Sequence, residues 1–142
     1  MKTSYRQMDA SDWEWFQEKL PVFMVEDSAG IIMVDGEERL AAWVFDNYTG
    51  ASVQCHLVIE KPMCLRHGLI QTIANLAFDT LECFAIYALV PSNKEKGLKI
   101  NEHIGFTEKC VMKNAFAKGV DSHLLELLPE NCNYYQIQDR AA

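Results

Sequence analysis

Hydrophobic positions along the chain change their period several times, and each change marks an element. Trp13, Phe16 and Leu20 recur at helical spacing behind Ser11 and Glu14, a capping-box pair, until Pro21 stops the run. That spacing predicts a first helix over about residues 11–20. From Ala29 the stretch GIIMVDGEERLAAWVF carries two β-rich runs split by Asp35-Gly36, the dipeptide of a tight hairpin, and residues 47–50 supply the next turn. Ser52 to Glu60 then alternates, with Val53, Cys55, Leu57 and Ile59 on one face and Ser52, Gln54, His56, Val58 and Glu60 on the other.

Beyond Lys61-Pro62 the period turns helical, and Leu65, Leu69, Ile70, Ile73, Leu76 and Ala77 form one stripe through about Leu81. CFAIYALVP is apolar on both faces, the pattern of a central strand covered by helices on each side. Ser92 and Glu95 repeat the capping-box spacing and open a short helix, ended by Gly105 at a position that suits the left-handed C-cap. Phe106 to Leu128 reads as two strands joined through Ala117-Lys118-Gly119. The order is helix, three strands, helix, strand, helix and two strands, with room for a short N-terminal strand. It predicts an α/β sheet of mixed direction in one domain, residues 1–142.

Composition narrows the function classes. A chain of 142 residues, 49% apolar and 23% charged, can bury a real core and is not a disordered segment. Thirteen Lys and Arg against 20 Asp and Glu give a net charge of −7. Nonspecific duplex binding needs clustered cations, so nucleic acid is disfavoured as a partner unless a basic face forms around Lys94, Lys96 and Lys99. No apolar run approaches the roughly 20 residues of a membrane span. The opening MKTSYRQMDASDWEW lacks the apolar stretch of a secretion signal, so the expected compartment is the cytoplasm. Cys55, Cys64, Cys83, Cys110 and Cys132 are odd in number and form no C-x-x-C pair, which predicts reduced, mostly buried thiols.

Two strand-to-helix junctions, Ile59 to Arg66 and Val90 to Lys96, are where an α/β sheet places ligands. Helix starts carry open N–H groups and partial positive charge. Arg66 and His67 at one, and Lys94 and Lys96 at the other, oppose the helix dipole, a cost that an anion would reverse. Pairing with Glu60, Glu95 or a C-terminal acid is the plainer alternative. His56 and Glu60 share the polar face of one strand and are the candidate proton acceptors, though four strand residues span roughly 13 Å, too far for a direct pair. Each equally fits an ordinary hydrogen-bonded surface residue. His67, His103 and His123 lack metal spacing, so no metal is expected. Tyr87 reads as core, with its hydroxyl at the sheet edge or on a backbone group, and Tyr134-Tyr135 as a cap on the core or part of a homodimer interface. G-x-S-x-G, P-loop and G-x-G-x-x-G motifs are absent.

The stretch ALVPSNKEKGLKINEHIGFTEKCVMKNAF, Ala88 to Phe116, resembles the C-terminal motif of the GNAT superfamily of acetyl-CoA-dependent N-acetyltransferases. Asn93, the helix through His103, and Glu102-His103-Ile104-Gly105-Phe106 stand in the family's register. FDTLECFAIYALVPSN and SHLLELLPENCNYY are similar to small acetyltransferase-like proteins of bacteriophages and prophages, so the resemblance covers about residues 52–135. It implies an α/β (α+β) fold: a mixed, mostly antiparallel sheet flanked by helices and splayed by coenzyme A between its fourth and fifth strands, here Ser52–Glu60 and Cys83–Val90. It implies acetyl-CoA as cosubstrate, direct attack by a primary amine of a small molecule or protein, and the host cytoplasm for a phage-encoded copy.

Carried onto this chain, the family's phosphate loop falls on Lys61-Pro62-Met63-Cys64-Leu65-Arg66, where both glycines are missing and Gly68 is the nearest. The backbone amides of Cys64, Leu65, Arg66 and His67 remain as candidates to face the pyrophosphate, with Arg66 supplying charge. Leu57, Val58 and Ile59 would polarise the thioester carbonyl, Asn93 would fix the loop beside the pantetheine arm, and Lys96 would reach a phosphate. Glu60 or His56 would take the amine's proton. Asn101 stands where the family often carries a tyrosine acid. That substitution and the lost glycines favour the alternative, a catalytically weak binding or structural protein on the same fold. Asp9, Asp12, Glu14, Glu26 and Asp27 fit either an acidic groove for cationic amines or a solvated surface.

Overall fold

The computed structural model describes residues 2–21 and 28–137. In chain order the elements are β1 (Ser4–Gln7), α1 (Ala10–Lys19), β2 (Ala29–Asp35), β3 (Glu38–Asp46), β4 (Ser52–Ile59), a 3-10 turn (Pro62–Arg66), and α2 (Leu69–Ala74), which runs on as a π-helical segment (Asn75–Thr80). Then come β5 (Ala85–Pro91), α3 (Glu95–Ile104), β6 (Thr107–Ala117) and β7 (Val120–Leu127). This is an α/β (α+β) chain with mostly antiparallel strands and flanking helices, in the element order that the hydrophobic periods predict. Among the described residues no helix is long and apolar enough to cross a membrane. Two compact units can be distinguished, residues 1–48 with 54–69, and residues 49–53 with 70–142.

In the first unit the strands follow the order β1-β2-β3-β4, each antiparallel to the next. Alternation leaves one face of these strands apolar, and α1 covers it. Phe16 is fully buried against Met8, Ile32, Val34, Ala42, Val44 and Val58, with Trp13, Trp15 and Leu20 at the margin. Gly30 permits this approach, because a Cβ there would lie 2.6 Å from Met8 Sδ and 2.8 Å from Trp13 Cζ2. The N-terminus of α1 differs from the expected Ser11–Glu14 box. Asp9 is the N-cap, and its Oδ1 accepts from the Asp12 N–H at 2.9 Å, while Asp12 Oδ2 accepts from the Asp9 N–H at 2.9 Å. Ser11 supports that cap from outside by donating to Asp9 Oδ1 at 2.7 Å.

Asp12 is completely buried, which explains why this pair prevails. Its carboxylate accepts from Arg6 and, at 2.9 Å, from Arg39 Nε, tying α1 to β1 and β3. Burial alone would push the Asp12 carboxyl up, but the bonds from Arg6, the Asp9 N–H and Arg39 outweigh it and hold the group well below the usual carboxylate range.

In the second unit the order is β5-β7-β6, again antiparallel. Ala88, Val90 and Leu125 pack with Leu98 of α3 and Phe106. β5 is not covered on both faces as its sequence predicts: Leu89 is 40% exposed, and Tyr87 is half-buried, donating to Glu126 Oε2 at 2.9 Å rather than to a backbone group. The expected Ser92–Glu95 box does not form either. Lys94 takes the N-cap without a side-chain bond, because the Ser92 hydroxyl accepts from the Asp121 N–H of β7 at 2.9 Å. The helical period after Lys61 is real but interrupted, with Gly68 (φ 83°) standing between the 3-10 turn and the start of α2. Tyr134 and Tyr135 fold onto their own chain, Tyr134 edge-on to His103 at 5.9 Å and Tyr135 against Phe78 at 5.0 Å, its hydroxyl donating to Asp79 at 2.5 Å.

Asp12→Asn should destabilise the fold by about 3 kcal/mol in denaturant melts at neutral pH, since it strips a buried carboxylate from two arginines. A carboxyl whose pKa is lowered by folding adds stability above its ordinary value of 3.8 and loses it as pH falls toward the folded-state value. The same variant should therefore flatten the acid side of the stability profile below about pH 4. Gly105→Ala should cost more than Gly119→Ala in the same melts. Both glycines have positive φ, but only at Gly105 would the new Cβ meet backbone, 1.9 Å from the Asn131 carbonyl oxygen.

Candidate functional site

β4 is the frame of the candidate site, and its pairing with β3 decides what its polar face meets. His56 lies opposite Val44, and Gln54 opposite Asp46, so one step in register separates His56 from the end of β3. His56 shares its strand face with Val58, a member of the core beneath α1, and its side chain is 15% exposed. Its Nε2 lies 2.9 Å from Asp46 Oδ2. Asp46 is only 7% exposed, and its other oxygen, Oδ1, has no hydrogen-bond partner among the described residues. With the Nε2 proton donated to the carboxylate, Nδ1 is the imidazole nitrogen left to receive another. Sequence reasoning missed Asp46. The available signal was the turn at residues 47–50, because folding β3 back on β4 there brings position 46 beside positions 54 and 56.

Glu60, the other expected base, follows β4 directly. Its Oε2 lies 2.9 Å from Lys19 Nζ at the end of α1, and its N–H donates to the Leu40 carbonyl at 2.9 Å. The two expected proton acceptors thus occupy separate pairs, His56 with Asp46 and Glu60 with Lys19. Leu57, Val58 and Ile59 stand opposite Trp43, Ala42 and Ala41 on β3, with Val58 buried and the other two half-buried.

At the junction after β4 two of the amides expected to face the pyrophosphate have partners within the chain. The Cys64 N–H donates to the Lys61 carbonyl and the His67 N–H to the Cys64 carbonyl, each at 3.0 Å. These two amides are spent within the 3-10 turn and are not open to an anion. Without glycines the segment folds on itself, and the fully buried Cys64 side chain anchors it. Leu65 and Gly68 are half-buried. Arg66 and His67 are exposed and, among the described residues, make no ion pair, since Glu60 is taken by Lys19 and Glu38 by Lys61 at 3.5 Å.

In the second unit Asn93, Lys94 and Lys96 are all exposed around the turn from β5 into α3. Asn101 is committed within α3, its Nδ2 donating to the Gly97 carbonyl at 2.8 Å. Of the acids that fit either an acidic groove or a solvated surface, Asp9 and Asp12 serve the helix cap, Glu14 is exposed, and Glu26 and Asp27 lie outside the described residues. Four thiols, Cys55, Cys64, Cys83 and Cys132, are buried, and Cys110 on β6 is exposed. Burial, helped by the Asp46 charge, pushes the Cys55 thiol up to about 12.

No family model matches the chain, and no curated protein matches it in sequence. Solved structures match its fold, and they are N-acetyltransferases. The spermidine/spermine N-acetyltransferase SpeG from Vibrio cholerae, in complex with manganese ions, is similar at TM-score 0.72 and 15% identity, over 89% of this chain and 92% of that one. A dodecameric structure of the Vibrio cholerae spermidine N-acetyltransferase in an intermediate state is similar at 0.70 and 15%, over 89% and 93%. The Campylobacter jejuni N-acetyltransferase PseH in complex with acetyl coenzyme A is similar at 0.66 and 17%, over 89% and 99%. At these identities the likeness is one of fold, and the fold is that of the GNAT-type N-acetyltransferases.

Thiol accessibility checks the burial pattern. Maleimide labelling of the native protein should modify Cys110 alone, with the other four thiols reacting only after denaturant is added; mass spectrometry of the peptides reads the result directly.

Proposed function

We propose that this chain is a GNAT-type acyltransferase that moves an acetyl group from acetyl-CoA to a primary amine. The observation that carries this reading is the conjunction of an N-acetyltransferase fold with the exposed Arg66, which makes no ion pair among the described residues, beside the exposed His67 where β4 feeds α2. The fit to the cosubstrate is by side chain more than by backbone. Arg66 supplies the charge for the pyrophosphate, and Leu65 and Gly68 flank it, because Cys64 and His67 have no amide to offer. In the second unit, Asn93 and Lys96 are the candidates to hold the pantetheine arm and a phosphate.

The chemistry needs a nucleophile, a polarised carbonyl and a place for one proton. The ammonium of the acceptor gives up a proton, and its nitrogen forms a bond to the thioester carbonyl carbon while a backbone amide among Leu57, Val58 and Ile59 bonds to the carbonyl oxygen. The carbon–sulfur bond then breaks, the new amide nitrogen gives up its second proton to solvent, and coenzyme A leaves as a thiolate that takes a proton from solvent. His56 is the better base of the two expected ones, since Asp46 fixes one ring nitrogen and leaves Nδ1 as acceptor, whereas Glu60 is held in an ion pair by Lys19. Leaving-group protonation falls to solvent, Asn101 being an amide.

Thermal unfolding with and without acetyl-CoA tests the reading. Cosubstrate at 100 times its dissociation constant should add about 2.7 kcal/mol of stability, and no shift at millimolar concentration would move the chain to the weak-binding or structural alternative. Arg66→Glu should abolish most of that shift, while Lys118→Glu, in the β6–β7 turn, should leave it intact; equal losses would remove Arg66 from the site.

A further inference from the structure

The second unit holds a cleft of about 440 Å³ between α2 and the segment that follows β7. Gln71 and Asn75, one turn apart on α2 and its continuation, form one wall, and Asn133, Tyr134, Tyr135 and Gln136 form the other. The second wall is held by its own bonds. The Asn133 N–H donates to the Ile104 carbonyl at 2.8 Å and its Nδ2 to the His103 carbonyl at 2.7 Å, while the Tyr135 hydroxyl donates to Asp79 and the Tyr135 ring packs on Phe78. The first wall carries an irregularity: at Asn75 the helix passes from α to π, and the Leu81 N–H donates to the Leu76 carbonyl at 2.8 Å. Such π turns are rare and gather at functional sites.

We infer that this cleft is a binding site for a neutral sugar. None of its six residues is charged at neutral pH, so an ion entering it would lose water with no counter-charge in the walls to replace it. Four of the six are carboxamides, and each carries N–H donors and an acceptor oxygen on one planar group. A sugar hydroxyl also both donates and accepts, so amides and hydroxyls satisfy one another in either direction. The tyrosine rings already lie against protein, Tyr134 edge-on to His103 and Tyr135 against Phe78. A flat base that depends on stacking therefore gains less here than a ligand read through hydrogen bonds. The volume falls within the range of small-molecule sites, and walls that are already fixed leave little ordering to be done on binding. The inference stands apart from the acetyl-transfer reading, since it uses neither Arg66 nor His56.

The probes are the methyl glycosides of glucose, galactose, mannose and N-acetylglucosamine, titrated into the full chain without cosubstrate while NMR follows the side-chain amide signals of Gln71, Asn75, Asn133 and Gln136. At least one glycoside should shift these signals saturably, and glucuronate, a sugar with a negative charge, should bind about tenfold or more weakly than that glycoside. Gln71→Ala should weaken the binding by a similar factor, and Lys118→Ala should leave it unchanged. Gln71 is exposed, and the contrast between neutral and charged sugars on the wild-type chain decides the matter even if its variant fails to fold. Silence from all four glycosides, glucuronate binding as tightly as the best of them, or undiminished binding in a folded Gln71→Ala variant would each overturn the assignment. A response to uridine without one to any glycoside would also overturn it, and would give the cleft to a nucleobase. A chain that binds a glycoside there but shows no thermal shift with acetyl-CoA would lose the acetyl-transfer reading and keep the sugar site.

Discussion

A single carboxylate fixes the geometry of the first unit. Asp12 reaches its buried position because it closes the cap of α1 with Asp9 and, at the same time, receives Arg6 from β1 and Arg39 from the start of β3. A charge without water needs partners on every lone pair, and this one has them. Helix α1 is thereby held at its first turn, Phe16 is set over Ile32, Val44 and Val58, and Lys19 at the last turn arrives beside Glu60. The helix is thus fastened by charge at both ends and by apolar contact along its length. Arg39 and Lys19 also sit over the Trp15 ring at 5.7 and 5.6 Å, so the cations serve the helix twice.

This arrangement separates the two carboxylates that frame β4. At the Ile59 end, Glu60 is neutralised by the lysine that α1 delivers, and at the turn end Asp46 meets only an imidazole. The core beneath α1 therefore grades from a fully apolar centre to a polar edge, where the buried Asp46 carboxylate is held by His56. The likeness to N-acetyltransferases and the polar edge arise from different observations, one from the course of the whole backbone and the other from two side chains.

Local periods were readable wherever short-range rules act alone. The Asp35-Gly36 hairpin, the alternation of β4 and the order of elements follow from turn chemistry and side-chain periodicity, both of which live within a few residues. The caps were not readable, because a distant residue decided each of them. Arg39, 27 positions away, favours Asp12 over the Ser11 box, and Asp121 of β7 removes Ser92 from α3. His56 and Glu60 were found as polar members of an apolar strand, but their partners were not, since ion pairs depend on register and helix placement. The spent amides of Cys64 and His67 escaped for a related reason: the helical period after Lys61 does not say which amides the first turn closes on its own carbonyls, and here a 3-10 turn takes these two.

That closure has an entropic side. A glycine-rich loop is wide-ranging when empty and loses that freedom when a phosphate orders it, so part of the interaction energy goes to freezing backbone. The turn at Pro62–Arg66 is already wound, with proline restricting its first residue and a buried sulfur pinning its centre. An anion arriving there would find a rigid pedestal whose response is confined to the long side chain of Arg66, and its recognition would be governed by rotamers in place of main-chain dipoles.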